Sequence, residues 1–266
     1  MRTPTFRRRR PHIAGGRPVW LFDLDNTLHR ASHAIFPAIN QAMTQYIIDA
    51  LQVEMDEANR LRTGYTQRYG ATLLGLARHH PLDPNDFLKV VHTFPDLGSM
   101  IRHERGVARL VAALPGRKIV LTNAPESYAR AVLAKLRIER LFEQVIAIEH
   151  MRDRRNWRAK PDHAMLRKAM RDAHVSLKDV ILVEDTRSHL KHYRRLGIRT
   201  VWITGHLPRK PHADGVPTRL PGTGRPHYVD RTIRSLKSLR LGTRSVRLKG
   251  QQGRQPCSRS TSPTKP

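Results

Sequence analysis

The chain has 266 residues and a formal charge of +27, from 49 Lys and Arg against 22 Asp and Glu; 39% of it is hydrophobic. That apolar share supports a real core and excludes global disorder, while a single cysteine, Cys257, excludes a disulfide framework or a cysteine-rich zinc site. No run approaches about 18 apolar residues and no apolar segment follows the basic N-terminus, so neither a transmembrane helix nor a secretory signal is expected, and the reducing cytoplasm is the expected compartment.

Residues 1–16 are rich in Arg and poor in apolar side chains, and residues 240–266, closing in "QQGRQPCSRSTSPTKP", are similar. Two thirds of the excess charge lies toward the two ends, and both segments read as disordered basic tails. Phosphate neutralisation on nucleic acid is one reading of such tails and a solvated extension is the other; no RNA-binding signature or aromatic interleaving supports the first.

The first apolar run, Val19 to Phe22, predicts a buried strand. From Leu28 to about Gly98 no strand pattern appears. "PAINQAMTQYIIDAL" predicts an amphipathic helix with Ile39, Met43, Tyr46, Ile47 and Ala50 on its apolar side. "DEANRLRTGYTQRYG", "ATLLGLARHH" and "DPNDFLKVVHTF" predict three more, the last behind an Asp or Asn cap. Short aliphatic runs then resume at Lys118 to Leu121, Val145 to Ile148, Val180 to Val183 and Thr200 to Ile203. Between them lie helical patterns: Tyr128, Val132, Leu133 and Leu136 on one face, then "PDHAMLRKAMRDAH" with Pro161 in its first turn, then "SHLKHYRRLG" closing at Gly197. Strand and helix alternate, which predicts a parallel α/β sheet with right-handed crossovers. The helical insertion follows the first strand directly, over the sheet edge where such folds bind ligands, so it is a candidate lid.

The first strand runs into Asp23-Leu24-Asp25-Asn26-Thr27. Side chains two apart at a strand end share a direction, and two like charges brought together favour a shared proton or cation; hard oxygen ligands suit Mg²⁺. The second strand ends at Thr122-Asn123, Lys160-Pro161 precedes a helix start, and the fourth strand ends at Glu184-Asp185. Polar groups at successive carboxyl edges in this order are a specific pattern.

These residues resemble the four motifs of the haloacid dehalogenase-like hydrolase superfamily. The resemblance covers residues 18 to 205 and implies a Rossmann-like core, with the helical insertion similar to the C1 cap of one branch. The expected division is a core of residues 17–30 and 98–239, a cap of residues 31–97, and the tails of residues 1–16 and 240–266. Within the superfamily, "FDLDNTLHRASHAIFPAIN", "RYGATLLGLARHH" with "DPNDFLKVVH", and "YVDRTIRSLKSL" look like the pyrimidine 5'-nucleotidase subfamily. The last stretch predicts a short final strand and helix near Tyr228 to Leu239.

The resemblance implies Asp23 as nucleophile through an aspartyl-phosphate and Asp25 as general acid, then base. It implies Thr122, Asn123 and Lys160 as phosphate-binding residues, with Lys160 offsetting charge between Asp23 and phosphate. Mg²⁺ falls to Asp23, the backbone carbonyl of Asp25, Asp185 and Glu184. The expected activity is a Mg²⁺-dependent phosphomonoesterase acting on pyrimidine nucleoside 5'-monophosphates. Asp25 argues against a dehalogenase, while a phosphomutase, a phosphatase for a sugar phosphate or pyridoxal phosphate, and a catalytically idle nucleic-acid binder with basic tails remain as alternatives. The subfamily usually has Asn four residues after the last motif's Asp; here His189 stands there. Tyr69 is weighed both as a base-stacking residue and as a packed tyrosine. Arg152, Arg154, Arg155 and Arg158 are weighed as an anion-attracting rim and as a solvated loop.

Overall fold

Apolar residues that alternate between two buried faces build the centre of the molecule, a computed structural model describing residues 18–153, 156–207 and 225–240. The strands are β1 (Val19–Phe22), β2 (Arg117–Leu121), β3 (Gln144–Ile146), β4 (Val180–Glu184), β5 (Arg199–Ile203) and β6 (Arg231–Ile233). All pair in parallel, in the order β3-β2-β1-β4-β5-β6. Trp20 and Phe22 of β1 join Val120, Val183 and Val201 in one apolar layer, whereas Val19 and Leu21 join Ile119, Leu121 and Leu182 in the other. Both faces are covered, as a parallel sheet requires.

The helices are α1 (Ile35–Leu51), α2 (Met55–Tyr69), α3 (Thr72–His79), α4 (Pro84–Val91), α5 (Leu97–Met100), α6 (Val107–Ala112), α7 (Glu126–Lys135), α8 (His163–Asp172), α9 (Arg187–Arg194) and α10 (Lys237–Arg240). Those labelled α6, α7 and α10 lie in or beside the first apolar layer, while α8 and α9 pack on the second. Helices α1 to α4 enclose an apolar interior of their own, built from Ile47, Ala58, Leu73, Leu76, Phe87, Leu88 and Val91, and joined by Ile148 and Ala159 from the sheet side. Helix α3 approaches α2 so closely that a Cβ at Gly75 would sit 2.1 Å from the Tyr65 ring.

Several local expectations shift. The third strand ends at Ile146, and Ile148–Met151 turns into a 3-10 helix. Glu184 is the last residue of β4 rather than the first beyond it. Pro161 lies before α8 rather than in its first turn: Asp162 caps that helix, its Oδ1 accepting from Met165 N at 2.7 Å. Ala50 is exposed, because α1 buries only the stripe through Ile35, Ile39 and Ile47. Gly197, at φ +81°, lies past the Arg195 C-cap of α9. The expected final strand and helix are β6 and α10. Residues 1–17 and 241–266, which hold the expected tails apart from Arg240, lie outside the described residues, as do Arg154 and Arg155.

Candidate active site

Strand order decides where polar side chains converge. The chain winds outward through β2 and β3, then returns to place β4 on the other side of β1. The crevice at such a reversal, beyond the carboxyl ends of the strands, is where open α/β sheets bind ligands. The register pairs Phe22 with Val183, and Asp23 N donates to Val183 O at 3.0 Å. One step further along, Asp23 leaves β1 beside Glu184, the last residue of β4, and Asp185, the first beyond it. Asp23, Glu184 and Asp185 each offer a carboxylate oxygen within 4.8 Å of the others.

Lys160 enters this acidic group from the loop before α8. Its Nζ donates to Asp23 Oδ1 at 2.6 Å and to Glu184 Oε2 at 3.0 Å, and the side chain is 2% exposed. Burial disfavours an ammonium, but the two carboxylates reverse that and hold the Lys160 pKa well above its ordinary value. Asn123 fixes the backbone of Lys160 from both sides: its Oδ1 accepts from Lys160 N at 2.8 Å, and its Nδ2 donates to Lys160 O at 3.4 Å. The Asn123 amide, expected on phosphate, is thus engaged with the lysine peptide.

Three acids facing one ammonium leave net negative charge in a buried place. Burial and the Glu184 charge push the Asp23 carboxyl up to about 7 against the pull of Lys160. Asp185 is pushed well up by burial, then by Asp23 and Glu184. Burial would also raise Glu184, but Lys160 and His189 hold it below its ordinary value. Glu184 Oε1 accepts from Thr186 N at 3.1 Å, so both of its oxygens have internal partners. The Oδ2 atom of Asp23 is buried with no hydrogen-bond partner among the described residues. Excess carboxylate charge and a buried, unpartnered oxygen fit a hard divalent cation held by Asp23 and Asp185, with Glu184 beside them. His189 Nδ1 lies 3.3 Å from Glu184 Oε2.

The Asp25 carboxylate stands apart from this trio. Its Oδ1 accepts from the Tyr128 hydroxyl at 2.7 Å and lies 2.9 Å from His29 Nε2. Burial opposes ionisation there, but the His29 and Tyr128 contacts outweigh it and hold Asp25 below the ordinary carboxylate range. The i, i+2 spacing does not bring the Asp25 carboxylate into the group formed by Asp23, Glu184 and Asp185: β1 ends at Phe22, and beyond it the chain turns through Asn26 at φ +59°. Thr122 is 1% exposed, and its Oγ1 accepts from Ala124 N at 3.0 Å, which leaves its proton for another acceptor.

The reading from sequence missed His29 and Tyr128 as site residues. Tyr128 was legible only as part of the apolar stripe of α7, and its 3% exposure bears out that packing while hiding the role of its hydroxyl. The spacing of His29, four residues after Asp25, was the available signal. Among the basic rim candidates, Arg158 is tied to Asp162 at 2.7 Å and Asp153 at 3.3 Å, and Arg152 lies over the Trp157 ring at 4.8 Å.

Beside the acidic group, Lys160 forms part of the wall of a cavity of about 790 Å³ between α2, α3 and the loop before α8. Tyr69, Arg78 and Trp157 line it, with the Arg78 guanidinium 5.6 Å from the centre of the Tyr69 ring. Tyr69 is half-buried and its hydroxyl meets His79 Nε2 at 2.6 Å, so it is neither a free stacking face nor a core residue.

A family model described as haloacid dehalogenase-like hydrolase matches residues 20–203. Phosphate metabolism protein 8 of Saccharomyces cerevisiae is 25% identical over 195 residues, 68% of this chain; the chain spans 60% of the length of that relative. A phosphatase of the same superfamily from Thermococcus onnurineus superposes with a TM-score of 0.55 at 17% identity, covering 84% of this chain and 96% of its own. CbbY from Rhodobacter sphaeroides, in complex with phosphate, does so at 0.54 and 20% identity over the same shares, and L-2-haloacid dehalogenase from Xanthobacter autotrophicus at 0.51 and 15%, covering 86% and 99%. Those likenesses speak for the fold, the model match spans most of the sheet together with its helical insertion, and the chain belongs to the haloacid dehalogenase-like hydrolase family.

Proposed function

We propose that the protein is a Mg²⁺-dependent phosphomonoesterase acting on pyrimidine nucleoside 5'-monophosphates. In this reading residues 17–30 and 98–239 form the catalytic core and residues 31–97 the cap that selects the substrate. One observation carries it: Asp23 lies in a buried acidic group, held by Lys160, with a second aspartate two residues on.

The chemistry follows from the residues. A carboxylate oxygen of Asp23 forms a bond to phosphorus as the bridging P–O bond breaks, giving an aspartyl-phosphate and an alkoxide. Asp25 gives the alkoxide a proton. Water then attacks phosphorus, Asp25 takes its proton, and the Asp23–phosphorus bond breaks to release orthophosphate. His29 and Tyr128 favour the ionised Asp25 that the second step requires, and the first step draws on the Asp25 that carries a proton when substrate binds. Lys160 holds Asp23 in place and offsets charge between it and the phosphoryl oxygens, while Thr122 offers its hydroxyl proton to one of them. Asn123 acts through the Lys160 peptide rather than on substrate. Mg²⁺, held by Asp23, Asp185 and the Asp25 carbonyl with Glu184 beside them, would supply positive charge against the phosphate. The cavity beside Lys160, lined by Tyr69, Arg78 and Trp157, supports a substrate larger than orthophosphate.

The test is phosphate release from a panel of pyrimidine, purine, sugar and pyridoxal monophosphates, with and without Mg²⁺. Selective Mg²⁺-dependent turnover of pyrimidine monophosphates is expected. Equal turnover of purine and pyrimidine substrates would remove the substrate assignment and leave the phosphatase. Activity that survives Asp23→Asn would remove the mechanism.

A further inference from the structure

A second concavity lies where the helical insertion joins the sheet. The two connections between them are tied at one point, with Arg30 N donating to Arg102 O at 2.6 Å. There Arg30 and Arg102 line a cavity of about 440 Å³ with Arg234 and Lys237, which come from the far side beyond β6. His103 and His206 also line it. All four of the arginine and lysine side chains belong to exposed residues, and none has a carboxylate within 4.0 Å among the described residues. Among the described residues Glu104 is the only acid lining the cavity, and its carboxylate already accepts from Leu236 N at 2.9 Å and from the Ser235 hydroxyl. Elsewhere on the surface several arginines do have partners: Arg117 with Glu143, Arg130 with Glu126, and Arg194 with Asp230.

Four unpaired cations around one hollow repel one another, and an anion that enters it removes that repulsion. Three of the four are guanidiniums, whose paired N–H donors match phosphate oxygens. The space exceeds what one small ion needs. We infer that this hollow is a binding site for a di- or polyphosphate group, free or at the end of a small phosphorylated molecule, that ties the two cap connections to the β6 side of the sheet. It lies apart from the acidic group, shares no lining residue with it, and does not depend on the substrate proposed above.

Binding of inorganic pyrophosphate to the full chain, by calorimetry and by thermal midpoint, tests this. EDTA is included, because a metal-free acidic site repels anions. Saturable binding and a raised midpoint are expected, beyond what sodium chloride of equal ionic strength produces. Replacing two guanidiniums in Arg102→Gln/Arg234→Gln should weaken affinity at least about tenfold, since each loses charge-assisted hydrogen bonds. Should that variant not fold, Arg30→Gln and Lys237→Gln measured separately should each weaken binding. Unchanged affinity in these variants would overturn the site, placing the binding elsewhere on a basic chain. Equal stabilisation by chloride would overturn it as mere screening. An RNA oligonucleotide forms the last arm: binding of RNA lost in the double variant, with no response to pyrophosphate, would overturn the small-ligand assignment in favour of a nucleic-acid backbone.

Discussion

Lys160 holds two buried carboxylates, so its removal has a larger effect than loss of one exposed ion pair. Lys160→Met leaves Asp23 and Glu184 facing each other without a cation, and breaking a buried pair in this way costs roughly 3–5 kcal/mol. Urea unfolding of the metal-free protein should show that loss alongside the loss of phosphate release. Asp23→Asn should lower phosphate release by on the order of 10³-fold or more while preserving the fold, because it removes the attacking oxygen and leaves an isosteric side chain. A circular dichroism spectrum superposable on that of the parent, combined with retained activity, would contradict this role. Tyr128→Phe keeps the ring packed at 3% exposure and deletes only the donor to Asp25. It should lower kcat with little change in KM, since the hydroxyl touches the proposed proton-transfer residue rather than substrate.

At the level of elements, α4 carries a testable pH dependence. His92 follows it immediately, its ring 5.4 Å from that of Tyr128, and burial lowers its pKa from 6.5 to about 4. A histidine that binds its proton less readily when folded contributes stability that is complete above about pH 6.5 and lost as pH falls toward 4. The shift sets the loss at no more than about 3 kcal/mol. Denaturant midpoints measured across that window should fall for the parent and stay flatter for His92→Leu. Helix α3 supplies a second case. Gly75→Ala would drive a methyl group into the Tyr65 ring, an overpacking that costs about 1–3 kcal/mol, read as a lowered midpoint. The periodicity of the insertion showed four helices but not this contact, because period says which face is apolar and nothing about how near the neighbouring helix lies.

Across the whole molecule, cation binding and folding are linked. If Mg²⁺ occupies the acidic group only when the chain is folded, a concentration a hundredfold above its Kd adds about 2.7 kcal/mol of stability. That increment should appear in thermal unfolding of the parent and vanish in Asp185→Asn, independently of any activity. The acids that would hold the ion come from positions 23, 184 and 185. They meet because β4 inserts beside β1 rather than beside β3. The +27 charge acts at the same scale, since a chain this basic draws anions toward it and makes every ligand measurement dependent on ionic strength.

Much of the architecture was legible locally. Strand and helix type follow from periodicity, and the parallel sheet follows from their alternation. The motif residues at strand ends announced the acidic group because strand termini in such sheets share one edge. Two things were decided only by tertiary structure. The Asp25 carboxylate lies outside the group of Asp23, Glu184 and Asp185 and bonds Tyr128 of α7, a long-range pairing that strand spacing could not show because β1 ends at Phe22. The cluster of Arg30, Arg102, Arg234 and Lys237 is spread over two hundred positions of chain and carries no local signal. Side-chain period is a property of neighbours along the backbone, whereas a binding hollow is a property of segments that only packing brings together.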